Sequence, residues 1–332
     1  MTSPSAQNAH PLAQCDDNGH LRHLIGIRGL ALSQITRILD TAEGFNTATG
    51  ASAKKVPLLR GHTVCNLFFE NSTRTRTTFE LAAQRLSADV VNFDVGTSSR
   101  AKGEDDLDTL YTLQAMGATI FCVRHPKNGA AGLFARQVNE GVAVINAGDG
   151  TNAHPTQALL DVYTIRQHRP GFAGLKVALV GDVQHSRVAR STIAALQALG
   201  TRDIHAVGPA GFLPLDADEL GVTSHIDLAN GIAGADIIMA LRIQRERIDG
   251  TANLTAIKDV ADYRHHYGLT SKNLANAKPG VKIMHPGPIN RDVEIDTEIA
   301  YGPNSLILEQ VKNGIAIRMA VMALIAGGRG HP

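Results

Sequence analysis

From about residue 30 onward, short blocks of consecutive apolar residues alternate with longer stretches in which apolar residues recur every three or four positions. The first kind predicts buried strands and the second amphipathic helices. Ser33 is placed to cap a helix carrying Ile35, Ile38, Leu39 and Ala42, with Gly44 as its stop. Strands are predicted over 63–69 (TVCNLFF), 89–93, 118–123 and 142–146. Between the first two, NSTRTRTTFELAAQRL places Phe79, Ala82, Ala83 and Leu86 at helical spacing, and 156–168 returns to a helix. A second series opens at 175–180 (LKVALV), passes into a loop and helix, and continues with strands at 204–207, 236–240 and 281–284. The last stretch, 306–325, is an apolar-periodic helix containing Val311, Ile315 and Met322.

Strands alternating with helices in this way predict an α/β fold of two doubly wound domains, each a parallel sheet flanked by helices. The length of 332 residues fits two domains of roughly 150 residues better than one core. The expected division is a flexible tail over 1–20, a first domain over 21–165, a second over 166–304, and a C-terminal helix within 305–332 that packs back on the first domain.

Composition narrows the partners. Net charge is +1, tryptophan is absent and aromatic residues are 4%. Such a chain has neither the overall field nor the stacking surface expected of a nucleic-acid binder. No apolar run approaches the roughly 20 residues that span a bilayer, and the opening MTSPSAQNAHPLAQ lacks the pattern of a signal peptide. A cytoplasmic protein without membrane contact is the expectation. Cys15, Cys65 and Cys122 are too few and too scattered for a disulfide framework or a cysteine zinc site, and Cys65 and Cys122 sit in apolar runs as buried thiols. The histidines form no HExxH, and His265–His266 reads as a surface pair.

The most pointed chemistry lies in Asn71-Ser72-Thr73-Arg74-Thr75-Arg76-Thr77-Thr78, between a strand and a helix. Free backbone N–H groups and the helix dipole favour an anion there. Arg74 and Arg76 in the first turn oppose that dipole, and a bound oxyanion would resolve the conflict. The alternative is a hydroxyl-capped helix whose arginines point into solvent. No Walker lysine or GxGxxG is present, and Gly181-Asp182 lacks the spacing of a dinucleotide site.

The segment FFENSTRTRTTFELAAQRL resembles the phosphate loop of the aspartate and ornithine carbamoyltransferases. The likeness extends from about residue 55 to 325 through TSSRAKGE (97–104), VRHP (123–126), NAGDGTNAHPTQALLD (146–161), LVGDVQHSRVARS (179–191), LRIQRER (241–247) and HPGPINRDVEI (285–295). The resemblance implies transfer of the carbamoyl group of carbamoyl phosphate to L-aspartate, in pyrimidine biosynthesis, at an active site between the two domains. It implies neither metal nor organic cofactor.

Residue by residue, it implies that Ser72, Thr73, Arg74 and Thr75 hold the phosphate, and that Arg124 reaches both phosphate and carbonyl oxygen. Pro155 suits the first helical position, which puts His154 at the cap, where the dipole disfavours an imidazolium and leaves a neutral donor for the carbonyl oxygen. Gln157 would recognise the carbamoyl NH₂, together with backbone carbonyls around Gly287 and Pro288. A cis proline is expected at Pro288, and leucine, common in relatives, should be tolerated at Gly287. Ser98 and Lys102 resemble loop residues inserted into the adjacent subunit's site, which implies a homotrimer with shared sites. Association with regulatory or dihydroorotase-like chains is known among relatives. Arg187, Arg242 and Gln244 match the positions that hold aspartate; HPTQ and HPGP place the chain on the aspartate side rather than the ornithine side, where HPCQ and HCLP stand. Asp105 and Asp106 depart from the family pattern and add negative charge next to an anion-binding loop. Two other readings stay open: transfer to ornithine or an acylated ornithine, and a non-catalytic subunit that keeps the fold.

Overall fold

A computed structural model describes residues 14–49, 55–94, 105–243 and 257–328. It contains two parallel sheets. The first is formed by β1 (Thr63–Phe68), β2 (Asp89–Asp94), β3 (Ala118–His125) and β4 (Ala143–Asp149), in the order β2-β1-β3-β4. The second is formed by β5 (Lys176–Val180), β6 (Asp203–Val207), β7 (Thr223–His225), β8 (Ile237–Ala240) and β9 (Lys282–Met284), in the order β7-β6-β5-β8-β9. Central strands have apolar side chains on both faces because helices cover both, which is why they read as unbroken apolar runs. Every residue of β4 is buried, as is every residue of β1 after Thr63.

The strand orders decide where a site can form. In the first sheet the chain leaves β1 toward β2 and later passes β1 on the other side as β3, so the loops after β1 and β3 diverge. In the second, the loops after β5 and β8 diverge for the same reason. Such switch points leave a crevice at the carboxyl ends of the strands.

Helices connect the strands: α1 (Leu32–Thr49), α2 (Thr73–Arg85), α3 (Asp106–Ala115), α4 (Ala130–Gln137), α5 (Pro155–His168) and α6 (Arg187–Ala198) precede a C-terminal helix at Ile307–Gly327. Two local expectations fail. Ser33 is not the cap and Gly44 is not the stop, since α1 runs through both to Thr49. The Gln34 side chain accepts from the Ala31 N–H at 2.8 Å, so the helix is closed two residues before Ser33. Beyond Gly44, Phe45 packs on the core and Asn46 Nδ2 donates to Tyr163 Oη at 2.8 Å; these tertiary contacts carry the helix past the glycine. In the C-terminal helix Val311 is exposed, whereas Gln310, Asn313 and Arg318 are buried beside Ile317, Val321 and Ile325. Its inward stripe is part polar, which an apolar pattern cannot reveal. The helix lies against α1, α2 and α5, and α5 itself runs through residue 165 before the connection to β5.

Phe79 on α2 is fully buried, and the Arg318 guanidinium sits 4.8 Å from its ring centroid. Phe79→Ala is expected to destabilise the fold by about 3–5 kcal/mol through the cavity it leaves. Urea unfolding of both proteins at one fixed concentration checks this.

Candidate active site

The carboxyl ends of both sheets open onto one cleft of about 1090 Å³. From the first sheet, the loop after β1 contributes Glu70 to Thr75, the end of β3 contributes Arg124, and the turn into α5 contributes His154 and Gln157. From the second, the loop after β5 contributes Asp182 to Arg187, the loop after β8 contributes Arg242, and the loop after β9 contributes Pro286, Gly287 and Pro288. Arg74, Arg124, Lys127, Arg187 and Arg242 line the cleft against the carboxylates of Glu70 and Asp182. The site therefore attracts anions, and more than one.

The segment from Asn71 lies between β1 and α2, where the sequence places it. Ser72 is the residue before α2, and its side chain makes no capping hydrogen bond, so its hydroxyl is uncommitted. Arg74 turns into the cleft, where Nη2 donates to the Pro286 carbonyl at 2.8 Å. Arg76 is exposed and does not line the cleft. Only one of the two arginines thus serves the site.

Arg124 is held from three sides. Its Nε lies 2.8 Å from Glu70 Oε1, its Nη1 donates to the Ala147 carbonyl at 3.1 Å, and Gly148 lies beneath it. A Cβ on Gly148 would stand 3.2 Å from Arg124 Nη1 and 3.1 Å from Arg187 Cζ, and its φ of +120° already favours glycine. Burial, followed by repulsion from Arg187, lowers the Arg124 guanidinium to about 10 against the pull of Glu70. It remains a cation at neutral pH. Arg187 begins α6 of the second sheet and crosses to the first, donating from Nη2 to Glu70 Oε1 and from Nη1 to the Gly150 carbonyl. Glu70 therefore clamps two arginines from opposite walls.

His154 precedes α5, as Pro155 suggests. Asp149 braces the approach by accepting from the Ala153 and Gly129 N–H groups at 3.1 and 2.7 Å. The His154 backbone N–H donates to Ser191 Oγ at 2.9 Å, and the residue is 4% exposed. Its pKa lies well below the usual histidine value. Burial is the main cause, followed by Arg124, Arg187, Arg318 and Arg74. Burial and the surrounding cations act in the same direction as the helix dipole, toward a neutral imidazole.

The Gly287–Pro288 peptide is cis, as expected. Gly287, however, has φ +63°, and a Cβ there would overlap the Arg74 guanidinium. A leucine at this position requires left-handed backbone and a displaced Arg74, so the swap is not the neutral one expected. Asp105 and Asp106 do not line the cleft. Asp105 caps α3, accepting from the Leu107 and Asp108 N–H groups at 2.6 and 2.9 Å, and Asp106 Oδ2 lies 3.0 Å from His125 Nε2. Their charge serves a helix end rather than the anion pocket. Ser98, Lys102 and Gln244 fall outside the described residues.

The sequence does not single out Glu70, Ser191 or Arg318. An acid directly before a basic loop is a usable signal for Glu70. Arg318 carries none, since nothing marks one arginine of a C-terminal helix as buried. It is 3% exposed, and burial lowers it to about 9. Among the described residues no cluster of His, Cys, Asp and Glu could hold a metal, and no helix is long and apolar enough to cross a membrane.

Known proteins align over both halves of this architecture. The aspartate transcarbamoylase of Trypanosoma cruzi, solved with N-(phosphonacetyl)-L-aspartic acid, is 27% identical, with 95% of this chain and 98% of that chain covered and a TM-score of 0.81. The catalytic subunit of M. jannaschii aspartate transcarbamoylase is 31% identical over 94% of this chain and 100% of its own, at 0.80. An ornithine carbamoyltransferase from Thermus thermophilus shares the fold at 24% identity, covering 92% of this chain and 98% of its own, at 0.80. The family model for the aspartate/ornithine carbamoyltransferase carbamoyl-P binding domain matches residues 22–167, and that for the Asp/Orn binding domain matches 173–325. Two matched domains in this order, spanning nearly the whole chain, make it a member of the aspartate/ornithine carbamoyltransferase family.

Proposed function

We propose that this enzyme transfers the carbamoyl group of carbamoyl phosphate to the amine of L-aspartate, giving N-carbamoyl-L-aspartate and phosphate. The observation that carries the reading is the convergence of Arg74, Arg124 and His154 from one sheet with Arg187 and Arg242 from the other around a single cleft. The first wall, within 21–165, suits a phosphate and a carbonyl oxygen. The second, within 166–304, suits a dicarboxylic amine, because paired arginines match carboxylates. Ser72, Thr73, Arg74 and Thr75 hold the phosphate. Arg124, Thr75 and His154 donate to the carbonyl oxygen as negative charge develops on it. Gln157 and the backbone around Gly287 and Pro288 receive the carbamoyl NH₂.

The chemistry asks for position rather than a protein nucleophile. The aspartate nitrogen attacks the carbamoyl carbon, the new C–N bond forms, and the bond to the phosphate oxygen breaks. The amine proton leaves with the phosphate. Holding two reactants in line is worth on the order of 7–11 kcal/mol. We assign this reaction to pyrimidine biosynthesis in the cytoplasm.

Carbamoyl phosphate supplied with a panel of amines tests the reading. Carbamoyl-aspartate should form, and ornithine should yield nothing; product from ornithine alone overturns it. We assign Ser98 and Lys102 to the neighbouring subunit's site in a homotrimer, with Gln244 beside Arg242 on the aspartate. An Arg74→Ala chain and a Lys102→Ala chain should each be inactive. Mixed in equal amounts into trimers, they should restore activity at about a quarter of the sites, the fraction in which both intact halves meet. Confirmed mixed trimers with no recovery contradict the shared site.

A further inference from the structure

We propose that Asp161, outside the cleft lining, is a positioning residue that fixes the orientation of the Gln157 amide and so makes the cleft select a carbamoyl group over an acyl group of the same shape. The inference rests on the proposed reaction. Asp161 is fully buried on α5, one turn beyond Gln157. Its Oδ1 accepts from Gln157 Nε2 at 2.9 Å and from Gln310 Nε2 at 2.8 Å, and its Oδ2 accepts from the Thr192 hydroxyl at 2.9 Å.

The direction of this chain of hydrogen bonds is set by the backbone. The N–H of His285 donates to Gln310 Oε1 at 3.0 Å. A backbone N–H cannot accept, so the Gln310 oxygen must face it and the Gln310 NH₂ must face Asp161. Asp161 Oδ1 is then an acceptor toward both amides. Gln157 must offer it the NH₂, which leaves the Gln157 carbonyl oxygen as the part of that side chain the network does not use. Gln157 lines the cleft. The arrangement survives protonation of Asp161, whose carboxyl burial pushes up to about 7. The proton then sits on Oδ2, where the Thr192 hydroxyl can accept it, and Oδ1 is unchanged.

A carbonyl oxygen aimed at the substrate accepts from the carbamoyl NH₂. It has no partner in the methyl of acetyl phosphate, which has the same shape. Sites that hydrogen-bond a substrate N–H discriminate strongly against analogues lacking it, because the polar group is stranded. The HPTQALLD and HPGP segments and the C-terminal helix thus form one device, joined through Asp161.

The polarity can be inverted without changing shape. In D161N/Q310E, one oxygen of the introduced carboxylate keeps the His285 N–H and the other requires a donor from position 161. The introduced amide supplies its NH₂ both to that carboxylate and to Gln157, its oxygen takes the Thr192 hydroxyl, and Gln157 must flip its NH₂ toward the cleft. D161N alone keeps the original polarity, with its NH₂ on Thr192. Calorimetric binding of carbamoyl phosphate and acetyl phosphate is measured for the wild type and both variants. The wild type should prefer carbamoyl phosphate, D161N should keep that ratio, and D161N/Q310E should lose about tenfold of it. A double variant of native circular dichroism that keeps the wild-type ratio overturns the role of Asp161, as does an equal weakening of both ligands. Should the double variant not fold, Asp161→Ala, which frees the Gln157 amide, is expected to show the same selective loss. A wild type with no preference would count instead against the proposed reaction.

Discussion

Arg124→Ala should lower kcat by about 10³-fold while leaving the fold intact. In the proposed reaction the side chain supplies both a phosphate contact and a donor to the developing oxyanion. Removing one oxyanion donor typically costs about 10²–10³ in rate. The loss here should lie at the upper end, because the change also leaves the Glu70 carboxylate facing the phosphate with only Arg187 to neutralise it. Arg124→Lys should recover only part of the rate. A lysine restores the charge but cannot reach Glu70, the Ala147 carbonyl and a substrate oxygen in one plane. Steady-state rates for both variants, with circular dichroism to confirm folding, check the prediction. An Arg124→Ala enzyme within tenfold of wild type would remove Arg124 from the chemistry.

The strands are legible because each central strand is covered on both faces, so 63–69 and 175–180 stand out as apolar runs against polar surroundings. The loop proposed to hold the phosphate is legible because its chemistry is local: hydroxyls, an arginine and a helix start lie within a few residues. What escapes is whatever depends on partners distant in the chain. Glu70 pairs with Arg187, 117 positions away, and Asp161 with Gln310, 149 away. No periodicity records such a pair. Gly44 reads as a stop in isolation and becomes mid-helix because Phe45 packs on the core and Asn46 reaches Tyr163 and Asn313. Asp105 and Asp106 mislead for the opposite reason. Their charge looks relevant to a neighbouring loop, but the start of α3 lies nearer and takes it up.

His154→Ala is expected to lower kcat by about 10²-fold with a smaller change in KM, since in the proposed reaction the ring donates most strongly to an oxygen that gains charge in the transition state. The direction of its pKa shift gives an independent check through stability. In the folded protein His154 titrates well below its usual value, so between that depressed value and about 6.5 the unfolded chain binds the extra proton and the native state does not. Its contribution to stability is therefore complete above about pH 6.5 and is lost as the pH falls toward the folded value. His154→Asn removes this titration while keeping a polar group. The stability difference between wild type and His154→Asn should be flat above neutrality and should shift against the wild type on acidification. Denaturant unfolding from pH 8 to 5 reads this directly, and an imidazolium signal from His154 in the free protein at pH 7 would contradict both the stability curve and the donor role. The two measurements meet in one requirement: burial, together with the arginines proposed to hold the two anionic substrates, keeps the histidine neutral, as a hydrogen-bond donor without a charge of its own must be.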